Sequence, residues 1–217
     1  MITERIAPAP PLLRGWFHAV AFLVSIPAGL ILVIAADGAR ARVATTIFAS
    51  GVTVLFGVSA LYHRGRWSER AHRRMRRLDH GTIFFMIAAS YTPVALLVLR
   101  GATATAILIG VWAGAGLGMV FAATGIAEKR VFGLVSYIVL GWVAVLAMPE
   151  LARRLGGGDL SLLLVGGGLY TVGAIVLGTR WPNPSPRVFG YHEVWHVMVI
   201  AACVCHFVMV ASVVGRA

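Results

Sequence analysis

Seven apolar stretches of about 20 residues each follow one another along the chain, and short polar segments separate them. An α-helix of this length crosses the hydrocarbon core of a bilayer, which is about 30 Å thick. We therefore predict an all-α integral membrane protein, with a short tail over residues 1–15 and one seven-helix transmembrane bundle over residues 16–214. The predicted spans are 16–36, 43–62, 79–99, 103–124, 131–148, 160–178 and 192–214.

Composition supports this prediction and narrows the class of partner. The chain is 59% hydrophobic and 12% charged, whereas soluble domains carry about 25% charged residues. The net charge of +11 comes from arginine, since Lys129 is the only lysine. Because the arginines lie between the apolar stretches, membrane topology and anionic lipid headgroups explain this charge, and we expect no nucleic-acid partner.

The distribution of basic residues predicts how the bundle is oriented. The tail and the second, fourth and sixth connections carry thirteen arginines and lysines, and the opposite side carries six. By the positive-inside rule the N-terminus is cytoplasmic and the C-terminus is outside, in the cell inner (plasma) membrane. The most basic connection, residues 64–77, is expected to face anionic headgroups. It contains Arg64, Arg66, Arg70, Arg73, Arg74, Arg76 and Arg77.

Candidate metal ligands gather on the cytoplasmic side of this topology. His192 and His196 stand four residues apart at the head of the last span, so they share one helix face. His63 closes the second span and Asp79 opens the third at the same side. Ionisable groups at membrane depth are costly, so such a cluster indicates a functional site.

The residue types suggest the chemistry of this site. Three histidines, His63, His192 and His196, with an open fourth position are typical of catalytic Zn²⁺, although other metals bind imidazole. Asp79 is placed to accept a proton from a metal-activated water. Ser59 shares a helix face with His63 and is a candidate hydrogen-bond partner of Asp79 or of that water.

Simpler interpretations exist for these residues taken singly. Asp79 alone is a typical helix N-cap and Ser59 a typical helix-packing residue. His206 lies about 15 Å deeper than His196 along the helix, so we expect it to be buried and hydrogen-bonded. The remaining histidines are interpreted as helix-interface residues: His18, His72 and His80.

The letters from His192 to His196 also spell the His-Glu-x-x-His signature of zinc proteases. In those enzymes a third ligand follows downstream. No aspartate or glutamate follows Glu193 here, and His206 is too distant for the protease spacing. Glu193 also points about 100° away from His192. An upstream ligand, His63, is the consistent alternative.

The order and spacing of the candidate site residues resemble those of the progestin and adipoQ receptor superfamily. The residues are Ser59-x-x-x-His63, then Asp79, then His192-x-x-x-His196 in the seventh span. Two shorter motifs resemble its bacterial branch, the hemolysin III family. They are Phe-Gly-Tyr-His-Glu-Val-Trp-His at 189–196 and Ser-Tyr-Thr-Pro at 90–93. The resemblance covers about residues 14–214. One departure is the segment before the first span, where the asparagine- and glutamate-bearing motif of many relatives is missing and only His18 is shared.

The resemblance implies a seven-helix fold with a cytoplasmic N-terminus. It implies zinc held by His63, His192 and His196, with a water bridging to Asp79, and it assigns Ser59 to the serine of the family. It also implies lipid-directed hydrolysis, such as ceramide amide cleavage, or a part in membrane-lipid homeostasis. Receptor relatives carry glutamine in place of Glu193, which argues against that residue as a catalytic base.

Three functions follow as hypotheses. The leading one is a zinc-dependent hydrolase of a lipid amide or ester. The second is a non-enzymatic sensor or regulator of the membrane with structural zinc. The third is a hemolysin-like lytic protein, against which stands the lack of a polar stripe along the spans. The substrate and the oligomeric state stay open.

Overall fold

The computed structural model describes residues 10–216, apart from the side chain of Arg130. Residues 1–9 of the predicted tail, including Arg5, lie outside the described residues. Within this range seven helical segments are long and apolar enough to cross a membrane. The all-α fold and the number of spans predicted from the sequence are therefore confirmed.

The structure defines eight α-helices in the described range. These are α1 (Trp16–Ile34), α2 (Gly38–Arg64), α3 (Glu69–Pro93), α4 (Gly101–Thr124), α5 (Arg130–Gly141), α6 (Met148–Arg154), α7 (Gly157–Thr179) and α8 (Tyr191–Val214). A π-helix over Val94–Val98 extends α3, and a 3-10 helix over Trp142–Ala147 joins α5 to α6. The fifth span is thus a composite of α5, the 3-10 helix and α6.

Helix α3 begins at Glu69, well before the apolar stretch that predicted it. The Ser68 hydroxyl accepts a hydrogen bond from the Ala71 backbone N–H at 3.4 Å, which is the bond of a helix N-cap. Most of the predicted basic connection is therefore helical. Asp79 lies about three turns inside α3, so its interpretation as an N-cap is wrong.

The regular α-helix of α3 ends at Pro93, and the π-helix follows it. Proline has no backbone N–H, so the regular hydrogen-bond ladder of α3 cannot continue through it. Beyond it the Leu99 N–H donates to the Val94 carbonyl at 3.0 Å, a spacing of five residues. This wider turn carries α3 to the far end of the bundle.

Helices that are adjacent in sequence pack against each other, and α8 closes the bundle by contacting α1, α2 and α7. α2, α3 and α8 are more buried than the other spans and form the interior. Many side chains on the outer helices are apolar and exposed, among them Ile34 and Leu146. Such a surface suits a lipid environment. The interior helices are also those that carry the candidate site.

Candidate metal centre

The three histidines predicted as ligands come together in the structure. His63 lies in the last turn of α2, and His192 and His196 lie in the first two turns of α8. Their ligand nitrogens all lie within 4.8 Å of one another, and Nε2 of His63 is 3.2 Å from Nε2 of His192. Two nitrogens bound to one tetrahedral zinc at 2.0–2.1 Å lie about 3.3 Å apart. The spacing of the cluster therefore fits a zinc ion.

The environment of His196 also fits a metal ligand. Its side chain is 1% exposed, and neither ring nitrogen has a hydrogen-bond partner among the described residues. A buried polar group without a partner is costly, so such groups are rare in folded proteins. An ion held jointly by His63, His192 and His196 would supply the missing interaction. Imidazole is a ligand type that suits zinc.

The carboxylate of Glu193 fixes the first turn of α8. Glu193 is fully buried, and its Oε2 accepts a hydrogen bond from the Gly190 N–H at 2.8 Å. Its other oxygen forms an ion pair with Arg14. Asn183 Oδ1 accepts a second bond, from the Tyr191 N–H at 3.1 Å. These contacts hold the helix end that carries His192 and His196.

The segment before α1 packs against the same place. The N–H groups of Leu12 and Leu13 donate to the carbonyls of Arg187 and Val188 at 3.0 and 3.1 Å. Gly15 has a φ of 78°, and a Cβ there would lie 2.8 Å from the Cβ of His63. Only glycine suits both the left-handed backbone and this close approach.

Asp79 and Ser59 lie beside the cluster on the wall of a cavity. Both side chains are buried, and they interact with each other. Asp79 is not among the groups whose ligand atoms lie within 4.8 Å of one another. Asp79 is thus the partner that the structure gives Ser59, one of the two alternatives predicted for it, and both residues line the cavity.

The cavity has a volume of about 180 Å³ and extends along the interior of the bundle. Its wall runs along α3 and the π-helix from Asp79 to Leu99, a stretch of about 30 Å. Most of the lining is apolar, with side chains such as Ile83, Met86 and Val199. Ser59 and Asp79 are the polar residues of the wall next to the histidines, and other polar side chains, such as Ser90 and Thr171, lie farther along it.

Two further histidines line this cavity, and they differ in their contacts. His206 is buried, and its Nε2 donates to the Leu163 carbonyl at 3.3 Å, as predicted. His18 is 2% exposed and stacks on His196, with ring centroids 3.8 Å apart and an interplanar angle of 12°. His18 was predicted to be an interface residue; the resemblance marks it as shared with bacterial relatives but assigns it no role.

Comparisons with known proteins agree with this architecture. A family model described as haemolysin-III related matches residues 8–207. Hemolysin-3 of Bacillus cereus is 32% identical over 193 residues, which are 88% of this chain and 85% of that protein. The Hemolysin-3 homolog of Bacillus subtilis (strain 168) is 31% identical over 193 residues, 88% of this chain and 87% of the relative.

A human protein extends the similarity beyond bacteria. The monocyte to macrophage differentiation factor of Homo sapiens is 25% identical over 195 residues, which are 88% of this chain and 78% of that protein. The matches cover nearly the whole bundle and include all of the candidate site residues. The chain therefore belongs to the haemolysin-III-related family, the bacterial branch of the progestin and adipoQ receptor superfamily.

Proposed function

We propose that this membrane protein is a zinc-dependent hydrolase of a lipid amide or ester and serves membrane-lipid homeostasis. One observation carries the proposal: Ser59 and Asp79 line a mostly apolar cavity next to three histidines that fit a zinc ion. Apolar walls favour a hydrocarbon chain because its burial releases it from water. The linkage between that chain and a headgroup would then lie beside Ser59 and Asp79.

The residues divide the chemistry between them. His63, His192 and His196 would hold zinc, which when bound polarises a carbonyl and activates a water. Asp79 accepts a proton from the attacking water at a carboxylate oxygen and returns it to the leaving group. Ser59 hydrogen-bonds to Asp79 and fixes the orientation of its carboxylate.

The orientation and the lipid partners belong to the same proposal. The N-terminus and the metal centre would face the cytoplasm from the plasma (inner) membrane, as the distribution of arginines favours. In the segment 64–77, Arg76 and Arg77 pair with Glu128 at 3.4 and 3.0 Å. The exposed arginines of this segment are the better candidates for anionic headgroups. They are Arg64, Arg66, Arg70, Arg73 and Arg74.

The first test is the metal content of protein purified in detergent without chelators, measured by mass spectrometry. We expect about one zinc per wild-type chain and none in His196→Ala, because three donors define a zinc site. His206→Ala is the matched control, since His206 is a buried histidine of the same helix outside the cluster. Wild-type protein without zinc would contradict the proposal.

The second test is turnover. Zinc-loaded protein in nanodiscs is supplied with ceramide and with phospholipid, and the release of free fatty acid is measured. Release that depends on His196 supports the hydrolase. Stoichiometric zinc with no release from either an amide or an ester lipid would leave the non-enzymatic alternative.

Two other functions have a specific observation behind them. The three histidines connect α2 with α8, so a zinc ion there would also tie these helices together in a sensor without turnover. The names of the Bacillus relatives suggest lysis of cells. A lytic pore needs a polar lining, whereas the cavity wall is mostly apolar. Conductance across planar bilayers would favour the lytic function instead.

A further inference from the structure

His18 is a buried histidine without an evident task in holding the fold together. It is 2% exposed, and neither Nδ1 nor Nε2 has a hydrogen-bond partner among the described residues. The backbone of His196 approaches the ring without completing a hydrogen bond. A neutral imidazole has one N–H donor and one acceptor nitrogen, so His18 has a donor and an acceptor that are both unpaired.

The position of His18 makes a ligand in the cavity the candidate partner for these unpaired ring nitrogens. His18 lines the cavity wall together with Ser59 and Asp79. It stacks at 3.8 Å on His196, so an atom that it bonds in the cavity lies close to the metal centre. Helix α1 thereby contributes a polar group to a site otherwise built from α2, α3 and α8.

The other cavity histidine shows what a purely structural role looks like. His206 lines the same cavity but donates its Nε2 hydrogen to the Leu163 carbonyl at 3.3 Å. His80 also has a buried ring nitrogen without a partner, but it does not line the cavity. Among the described residues, His18 alone combines two unpartnered ring nitrogens with a place on the cavity wall.

We propose that His18 is a substrate-binding residue that donates a ring N–H hydrogen bond to the carbonyl oxygen of a lipid in the cavity. The inference rests on the proposed function for its ligand class, a long-chain amide or ester. The carbonyl is the polar acceptor that such lipids have next to the chain. A buried donor discriminates strongly between a ligand with this acceptor and one without it, because the unmatched donor stays unpaired.

The test uses two probes that differ only in the carbonyl and cannot be hydrolysed: 2-heptadecanone and heptadecane. Their relative occupancy on detergent-purified wild-type protein is measured by native mass spectrometry. We expect the ketone to bind about tenfold more tightly than the alkane, the effect of one buried hydrogen bond. His18→Phe keeps the stacked ring but lacks the donor, so this preference should disappear.

Two more variants and one further measurement separate binding from packing. His18→Gln keeps an N–H donor and should restore part of the preference for the ketone. His80→Phe is the matched control and should keep the wild-type preference. The melting temperature of ligand-free His18→Phe should be unchanged or about 2–5 °C higher, because a buried polar group without a partner has been removed.

The outcomes also separate this inference from the proposed function. A ketone preference that survives in His18→Phe overturns the inference, and so does an equal loss of both probes together with a lower melting temperature. A preference that depends on His18 in protein that releases no fatty acid from amide or ester lipids supports the inference while contradicting the hydrolase. Release of fatty acid together with a ketone preference that does not depend on His18 supports the hydrolase while contradicting the inference.

Discussion

Both ends of the bundle carry ionisable side chains with little exposure to solvent, but these side chains differ in whether they have partners. At the histidine end, His18 and His196 have no hydrogen-bond partners among the described residues, and Asp79 faces a cavity. At the opposite end of α8, the buried Asp159 forms an ion pair with Arg216. There too, Glu150 accepts bonds from Arg154 Nε at 2.7 Å and from the Arg100 N–H at 3.1 Å.

This difference separates groups that hold helices together from groups available to a ligand. Charges at membrane depth are tolerated when they are paired, and unpaired ones indicate function. Replacing a residue at the opposite end should therefore change stability more than activity. Replacing a residue at the histidine end should do the opposite, except where that residue is itself paired.

Asp79→Asn should have the largest effect. The amide keeps the shape of the side chain and a hydrogen-bonding oxygen for Ser59, but it cannot accept a proton. Turnover of lipid should fall by at least about 100-fold, the usual contribution of general acid–base catalysis. Zinc content measured on the same sample should stay at the wild-type level. Turnover at the wild-type rate would exclude Asp79 from the mechanism.

Arg14→Gln should come next, because Arg14 forms the ion pair with Glu193 that supports the first turn of α8. The change leaves the fully buried carboxylate of Glu193 without its cation. Loss of one partner from a buried pair costs about 3–5 kcal/mol, and partial exposure of Arg14 lowers this to about 2–3 kcal/mol. Zinc affinity, measured by competition with a chelator, should fall about tenfold as the first turn of α8 loosens.

The matched control is the double variant Arg14→Gln/Glu193→Gln. It contains no unpaired buried charge, so thermal unfolding should show that it regains much of the lost stability. If the double variant is less stable than Arg14→Gln, the cost comes from packing rather than from the unpaired carboxylate. That result would mean that the ion pair does not account for the stability of this end of the bundle.

The sequence predicts the fold well because a bilayer imposes a minimum length on each apolar stretch. It also predicts the meeting of His63, His192 and His196, since an even number of membrane spans, the third to the sixth, separates these segments and returns the chain to the same side. The start of α3 was missed because hydropathy reports the apolar part of a helix. Arginine is a good helix former, and the polar turns from Glu69 onward extend the helix beyond the predicted span.

The contacts of Glu193 and His18 could not be predicted in the same way. Glu193 finds its cation in Arg14, at the other end of the chain, and no local pattern pairs these positions. His18 differs from an ordinary interface histidine only in what surrounds its ring nitrogens. Both depend on how α1 packs against α8, which the spacing of residues along either helix does not determine.

Asp159→Asn should have the smallest effect and gives the sharpest test of the comparison between the two ends. Arg216 is about half exposed, so water screens the pair, and Asp159 also interacts with the N-terminal dipole of α7. We expect the free energy of unfolding in mild detergent to fall by about 1 kcal/mol. Zinc content and lipid turnover should not change, because α8 separates this pair from the histidines by its whole length. A loss of zinc or turnover larger than the loss of stability would mean that the ends are coupled through α8, and the opposite end would then belong to the functional machinery.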